Sequence, residues 1–198
     1  MTEHQVAHAK HLEETYSKTI FGFWCYLMTD CILFATLFAT YIVLHKNTFG
    51  GPGAKELFSM PFALTETLIL LTSSFTCTLS KLAAYRGDKN KVIGWFIVTF
   101  LLGLAFIVME LNEFSHLVHE GHSWRSSGFL TGFFTLVATH GLHISTGLVW
   151  MVILIIPVCR HGLTPVSLKR LTCLRMFWHF LDIVWIFIFT IVYLMGAL

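Results

Sequence analysis

Apolar residues gather into five runs along this chain, roughly 20–45, 61–82, 92–113, 129–158 and 174–197, separated by short polar or charged breaks. A helix needs ~20 mainly apolar residues to cross a bilayer. Each run reaches that length and is too long and uninterrupted for a barrel strand, so each is expected to be a helix that satisfies its own backbone groups in lipid. The pattern predicts an all-α integral membrane protein, a bundle of five transmembrane helices forming one domain over 20–198. Residues 1–19 are polar (Glu3, His4, Lys10, His11, Glu13, Glu14, Lys18), so no cleavable signal peptide is visible and the first run is expected to act as its own uncleaved anchor. Pro61 is placed to open the second helix, and Pro157 is expected to end or kink the fourth.

Composition agrees with the pattern. The 198 residues are 56% hydrophobic and 12% charged, where a soluble domain carries about 25% charged residues. The net charge of +2 gives no argument for a nucleic-acid partner. Charge placement says more. Lys10 and Lys18 precede the first run, Lys81, Arg86, Lys89 and Lys91 lie between the second and third, and Arg160, Lys169, Arg170 and Arg175 lie between the fourth and fifth. Only Lys46, Lys55 and Arg125 fall on the other side. By the positive-inside rule the amino terminus is cytoplasmic and the carboxyl terminus outside. The five cysteines (Cys25, Cys31, Cys77, Cys159, Cys173) show no zinc or redox spacing and are expected to be free thiols. Trp24, Trp124 and Trp178 sit near expected interfaces and suit an aromatic belt.

The candidate chemistry lies in ionisable residues inside the runs: Asp30, Glu66, Glu110, Glu113, His140, His143, His179 and Asp182. Such groups are rare in hydrocarbon and face the bundle interior. Gly128, Gly132, Thr135, Thr139, His143 and Thr146 share one face of the fourth helix at helical period. This is a stripe of small residues that admits a close neighbouring helix, with Gly128-xxx-Gly132 in the GxxxG form. His143 lies in it and is the better candidate for an interhelical partner. His140 lies to one side and is expected to turn toward a lipid cleft. Asp30 is ~15 Å into the first helix and His143 ~21 Å into the fourth from the opposite side. The two levels overlap, so Asp30 is expected to pair with His143 or His140. Similar stripes are Thr99, Gly103, Phe106, Glu110 and Glu113 in the third helix, and Ala63, Glu66, Ser73, Cys77, Ser80 and Ala84 in the second. Asp182 is expected to tie to His179 or Arg175 near the cytoplasmic end.

Sharper chemistry finds less support. Two histidines at i, i+3 on one helix cannot both ligate one haem face to face. Glu113-Phe-Ser-His116 is a single Glu-x-x-His element, where a di-iron bundle site needs two such elements and two further glutamates. His119 and His122 read as solvated loop residues. No nucleophile–base pair or phosphate loop is present. From the residues alone the chain reads as a lipid- or subunit-binding membrane element rather than a catalyst. A small proton-coupled transporter using Asp30, Glu66 and Glu110 stays open as the alternative.

Two motifs also carry a family likeness. Thr139-His140-Gly141-Leu142-His143, and Phe177-Trp178-His179-Phe180-Leu181-Asp182-Ile183-Val184-Trp185, resemble subunit III of the haem–copper terminal oxidases, and so does the first run from Gly22 through Asp30 to Tyr41. The likeness runs from about Tyr16 to the end. The five spans, Gly50-Gly51-Pro52-Gly53 and the ending Val192-Tyr193-Leu194-Met195-Gly196 resemble the cytochrome bo-type, quinol-oxidising branch; five-helix versions also occur among cytochrome c oxidases. The resemblance implies a non-catalytic subunit of a bacterial cytoplasmic-membrane complex that oxidises quinol, reduces oxygen and pumps protons. It implies no cofactor in this chain, haems and copper in subunit I, contacts with subunit I and with subunits II and IV of the same complex, bound phospholipid in a cleft, and support of assembly and proton uptake. One departure stands out. The family commonly has a carbodiimide-reactive Glu where this chain has Asp30, a methylene shorter, so that reactivity is not assumed for this chain.

Overall fold

The computed structural model describes residues 3–48, 50, 57, 59–121 and 124–197, with side chains from residue 16 to 196 except 161. Five long helices account for the architecture: α1 (Glu3–Leu44), α2 (Met60–Tyr85), α3 (Lys89–His119), α4 (Gly128–His161) and α5 (Pro165–Ile188). A π-helical segment, Phe189–Leu194, and a last turn, α6 (Met195–Ala197), complete the chain. The membrane-spanning stretches are Tyr16–Leu44, Met60–Tyr85, Lys89–His119, Gly128–Arg160 and Pro165–Leu194. No strand occurs among the described residues.

Every helix outruns its apolar core. Helix α1 continues through the polar segment from Glu3, whose Glu, Ala, Lys and Leu residues are good helix formers. Helix α3 carries on to His119, so His119 is an exposed helical residue and not part of a loop; His122 and 51–56 lie outside the described residues. Pro61 does sit in the first turn of α2. Pro157 does not end α4, which runs on to His161; a proline inside a membrane helix is tolerated where local adjustment re-satisfies the freed carbonyl. Helix α5 begins at Pro165, not at 174. The Thr164 side chain caps it by accepting from Ser167 N at 3.2 Å, and Pro165 supplies a pre-set first-turn φ. Lys169 and Arg170 therefore project from a helix rather than a loop. Gly162, at φ 76°, makes the tight reversal between α4 and α5.

Helix α5 is the most enclosed element: 50% of its apolar window is buried, against 22% for α1. It packs on α1, α2 and α4, while α4 also meets α1 and α3, and α2 lies along α3. Small residues set how closely these helices approach. A Cβ on Gly132 would meet Tyr41 Cα at 3.4 Å, and one on Gly128 would meet Asn47 Cβ at 3.4 Å. The small-residue stripe of α4 is thus half occupied by α1 of the same chain, while Thr135 and Thr146 face outward. At the basic end, Lys89 Nζ donates to the Cys159 carbonyl at 2.7 Å, tying the start of α3 to the end of α4. Lys91 Nζ donates to Asp88 Oδ2 at 2.8 Å, and this hydrogen bond holds the exposed Asp88 carboxyl below its ordinary range. All five cysteines are free; Cys77 and Cys173 are buried and the others exposed.

Candidate functional site

The interior is organised around two tryptophans of α5, two turns apart. The Trp178 indole N–H donates to Ser73 Oγ at 3.0 Å, and the Trp185 indole N–H donates to Thr67 Oγ1 at 3.0 Å. Both rings are 1% exposed. Trp178 is therefore a core residue and not part of an interfacial belt, whereas Trp24 and Trp124 are more than half exposed. The reason is local. Gly103 of α3 and Gly147 of α4 leave a slot into which the Trp178 ring fits, at 2.9 Å and 3.1 Å from where their Cβ atoms would stand.

His140 stacks on Trp185 at a 5.3 Å centroid separation, with Phe106 edge-on at 6.0 Å and Phe34 at 6.3 Å. It is fully buried, and neither ring nitrogen has a hydrogen-bond partner. The expectation that it turns toward a lipid cleft is thus overturned: its place to one side of the stripe points it into the bundle. Beside it, the Glu110 carboxyl lies against the α4 backbone, where a Cβ on Gly141 would meet Oε1 at 2.5 Å. The glycine between His140 and Leu142 is what admits that carboxyl.

His143 faces the α1 side. Its Nδ1 stands 2.7 Å from the Thr139 carbonyl; a carbonyl only accepts, so Nδ1 carries the hydrogen and donates. That leaves Nε2 directed at Asp30 Oδ1, 4.0 Å away. The distance is longer than a direct hydrogen bond, and the Tyr26 phenol of the same helix is a second group that approaches the Asp30 carboxyl. Phe34 lies over the His143 ring at 5.2 Å. Of the two histidines, the structure brings His143 to Asp30.

Two further clusters lie apart from this pair, one toward the end of the bundle away from the basic connections and the other near mid-span, not at the cytoplasmic end expected for Asp182 and His179. In one, Tyr193 of the π-helical segment donates to Glu113 Oε2 at 2.8 Å, and Glu66, Glu110 and Glu113 are within electrostatic reach of one another. Glu66 is completely buried with neither oxygen hydrogen-bonded, and it groups with these glutamates rather than with Asp30. His116 instead approaches Glu120, 3.5 Å away. In the other cluster, His179 contacts Ser74 Oγ through Nδ1 at 2.5 Å and Thr78 Oγ1 through Nε2 at 3.3 Å. Asp182 Oδ2 is 3.7 Å from the same Nδ1.

The arrangement ties helices together and offers no open ligand position on the α4 histidines. His140 is walled by aromatic rings, and His143 has one nitrogen committed to its own helix and the other facing a carboxylate. These residues do not fit axial haem ligation. Among the described residues no group of three or more His, Cys, Asp and Glu is disposed to hold a metal ion. The residues that sequence reasoning missed are Thr67, Gly141, Gly147 and Tyr193, together with the inward role of both tryptophans. The seven-residue spacing of Trp178 and Trp185 places them on one helix face and was the available signal.

Comparison with known proteins adds the family. The model for cytochrome c oxidase subunit III matches residues 2–197. Cytochrome bo(3) ubiquinol oxidase subunit 3 of Pseudomonas aeruginosa is 55% identical over 196 residues, covering 98% of this chain and 94% of that protein. The protein of the same name from Pseudomonas putida is 54% identical over 180 residues, covering 91% and 87%. Cytochrome c oxidase subunit 3 of a Bacillus species is 45% identical over 175 residues, covering 88% and 84%.

Proposed function

The chain belongs to the cytochrome c oxidase subunit III family, and from that premise we propose that it is a non-catalytic accessory subunit of a quinol-oxidising haem–copper oxidase of the cytochrome bo type. The observation that carries the quinol branch is the near end-to-end 55% identity to a ubiquinol oxidase subunit 3, against 45% to a cytochrome c oxidase counterpart. The complex resides in a bacterial cytoplasmic membrane, with the basic end of the bundle on the cytoplasmic side. Haems and copper belong to subunit I, which this chain contacts together with subunits II and IV. Its own residues supply rigidity, phospholipid retention and support of proton uptake. The Asp30–His143 pair is a polar contact on the α1 side; Glu66, Glu110, His140, His179 and Asp182 face neighbouring helices of the same chain, and Gly128 and Gly132 hold α1 and α4 together by close packing. Thr135 and Thr139 continue that stripe beyond α1 and are positioned for a neighbouring subunit or lipid.

The test is Asp30→Asn in the assembled complex. It keeps the side chain's size and replaces the carboxyl opposite His143 Nε2 by an amide. We expect weaker retention of this chain or its lipid during purification, with an unchanged haem spectrum. Loss of oxygen reduction from a complex that assembles normally would overturn the structural role.

A further inference from the structure

We propose that the cavity between the ends of α2 and α5 on the basic side of the bundle binds the phosphate head group of an anionic phospholipid. It rests on the membrane-subunit reading above, but it lies apart from the Asp30–His143 face on α1 and α4. The cavity is about 340 Å³, within the range of small-molecule sites.

Its lining joins three cations, Lys81, Lys169 and Arg175, with Tyr16 and Tyr85, and among the described residues it contains no Asp or Glu. Each lysine lies over one tyrosine ring: Lys81 Nζ is 5.2 Å from the Tyr85 centroid and Lys169 Nζ 5.8 Å from that of Tyr16. Cation–π contact holds an ammonium in place without neutralising it, so both charges remain available to an anion. Deeper in the bundle, Asp182 stands by His179 at 3.7 Å.

Two unpartnered polar groups line the same space. Arg175 Nε is buried without a hydrogen-bond partner. Ser80 is 1% exposed and its hydroxyl is likewise unpartnered. That is unusual within α2. Thr65, Thr67, Thr72, Ser73, Thr76 and Thr78 all donate to carbonyls of their own helix, and Ser74 contacts His179. Ser80 alone among the serines and threonines of α2 has its donor unspent, and it stands in the cation-lined cavity. Buried polar groups in native proteins are otherwise almost always satisfied.

The remaining walls decide between a lipid and a soluble anion. Phe96, Leu168 and Leu171 are apolar, and Leu82 and Val166, next in sequence to the lining residues Lys81 and Pro165, are 48% and 56% exposed. A phosphate ester with attached acyl chains satisfies both the cations and these surfaces; a free phosphate satisfies only the cations. Basic pockets between membrane helices on the cytoplasmic side select anionic lipid head groups.

The assembled oxidase, stripped of lipid in mild detergent, is titrated with phosphatidylglycerol, phosphatidylcholine or inorganic phosphate, and bound lipid is counted by native mass spectrometry. We expect saturable retention of phosphatidylglycerol, little retention of phosphatidylcholine, and no competition by inorganic phosphate at equal concentration. The double variant Lys81→Gln, Lys169→Gln should weaken retention roughly thirtyfold, at about fivefold per cation. Ser80→Ala should weaken it a few-fold and serves if the double variant fails to assemble. Arg86→Gln, outside the lining, should have no effect. Equal retention of both lipids, displacement by inorganic phosphate, or an equal loss in Arg86→Gln would overturn the proposal. Co-purification of the oxidase chains is scored separately, so failure of the lipid site is distinct from failure of the subunit assignment.

Discussion

Gly103 and Gly147 hold the Trp178 ring between them, and that slot is among the least forgiving places in the chain. A methyl group on Gly103 would stand 2.9 Å from both Trp178 Cη2 and Leu148 Cδ2. The ring is fully buried and bonded to Ser73, so it has nowhere to swing. Gly103→Ala should therefore destabilise the bundle by about 1–3 kcal/mol through overpacking, whereas Gly22→Ala, with nothing within 4 Å, should be near neutral. Midpoints of unfolding in sodium dodecyl sulfate compare the two. Thr67→Val would orphan the Trp185 indole N–H. Interhelical hydrogen bonds in bilayers average ~0.6 kcal/mol, while an orphaned buried donor costs ~1–3 kcal/mol. A loss of about 1 kcal/mol is expected in the same assay, and no loss would show that Trp185 finds another acceptor. At this scale the sequence discloses which residues are costly in lipid but not always where they point. Depth alone aligned Asp30 with His143. Helical offset misplaced His140 because the face of α4 carrying small residues is shared between α1 and the outside, while the neighbouring face carries the core.

The elements were legible in number and in their apolar cores, and less so in their ends. Hydropathy locates hydrocarbon, whereas a helix ends where its backbone runs out of partners. Helix α5 illustrates the difference. Its first turns are basic and polar, yet Thr164 and Pro165 form an amino-terminal cap signal that outweighs the drop in hydropathy. Thr164→Ala should cost about 0.5–2 kcal/mol and increase amide hydrogen exchange in the first turn of α5, leaving the Trp178 region protected. Uniform exchange along α5 would contradict that local role. At the other end of the same helix, the backbone passes into π geometry over Phe189–Leu194, and Tyr193 in that segment reaches Glu113. Such insertions leave no mark in a hydrophobic pattern of constant period. The same holds for Pro157, whose effect depends on local backbone adjustment rather than on the proline itself.

For the whole molecule, the full-length family match and the packed interior agree. Five helices enclose aromatic rings and polar ties, and the α4 histidines present no open ligand position. Apolar surface on every helix is left for lipid and neighbouring chains. Sequence likeness assigned the family because its motifs, including His140-Gly141 and Trp178 through Trp185, coincide with the residues that pack the core. The cation-lined cavity at the basic end emerges only once α5 is known to start at Pro165. The most direct test of the account is purification through a tag on this chain in mild detergent, with the co-purifying chains identified and a visible spectrum recorded before and after the chain is separated from them. The account predicts that oxidase subunits and haem absorbance accompany the tagged chain, and that the separated chain is colourless. Haem absorbance retained by the separated chain, or purification without any oxidase subunit, would contradict it.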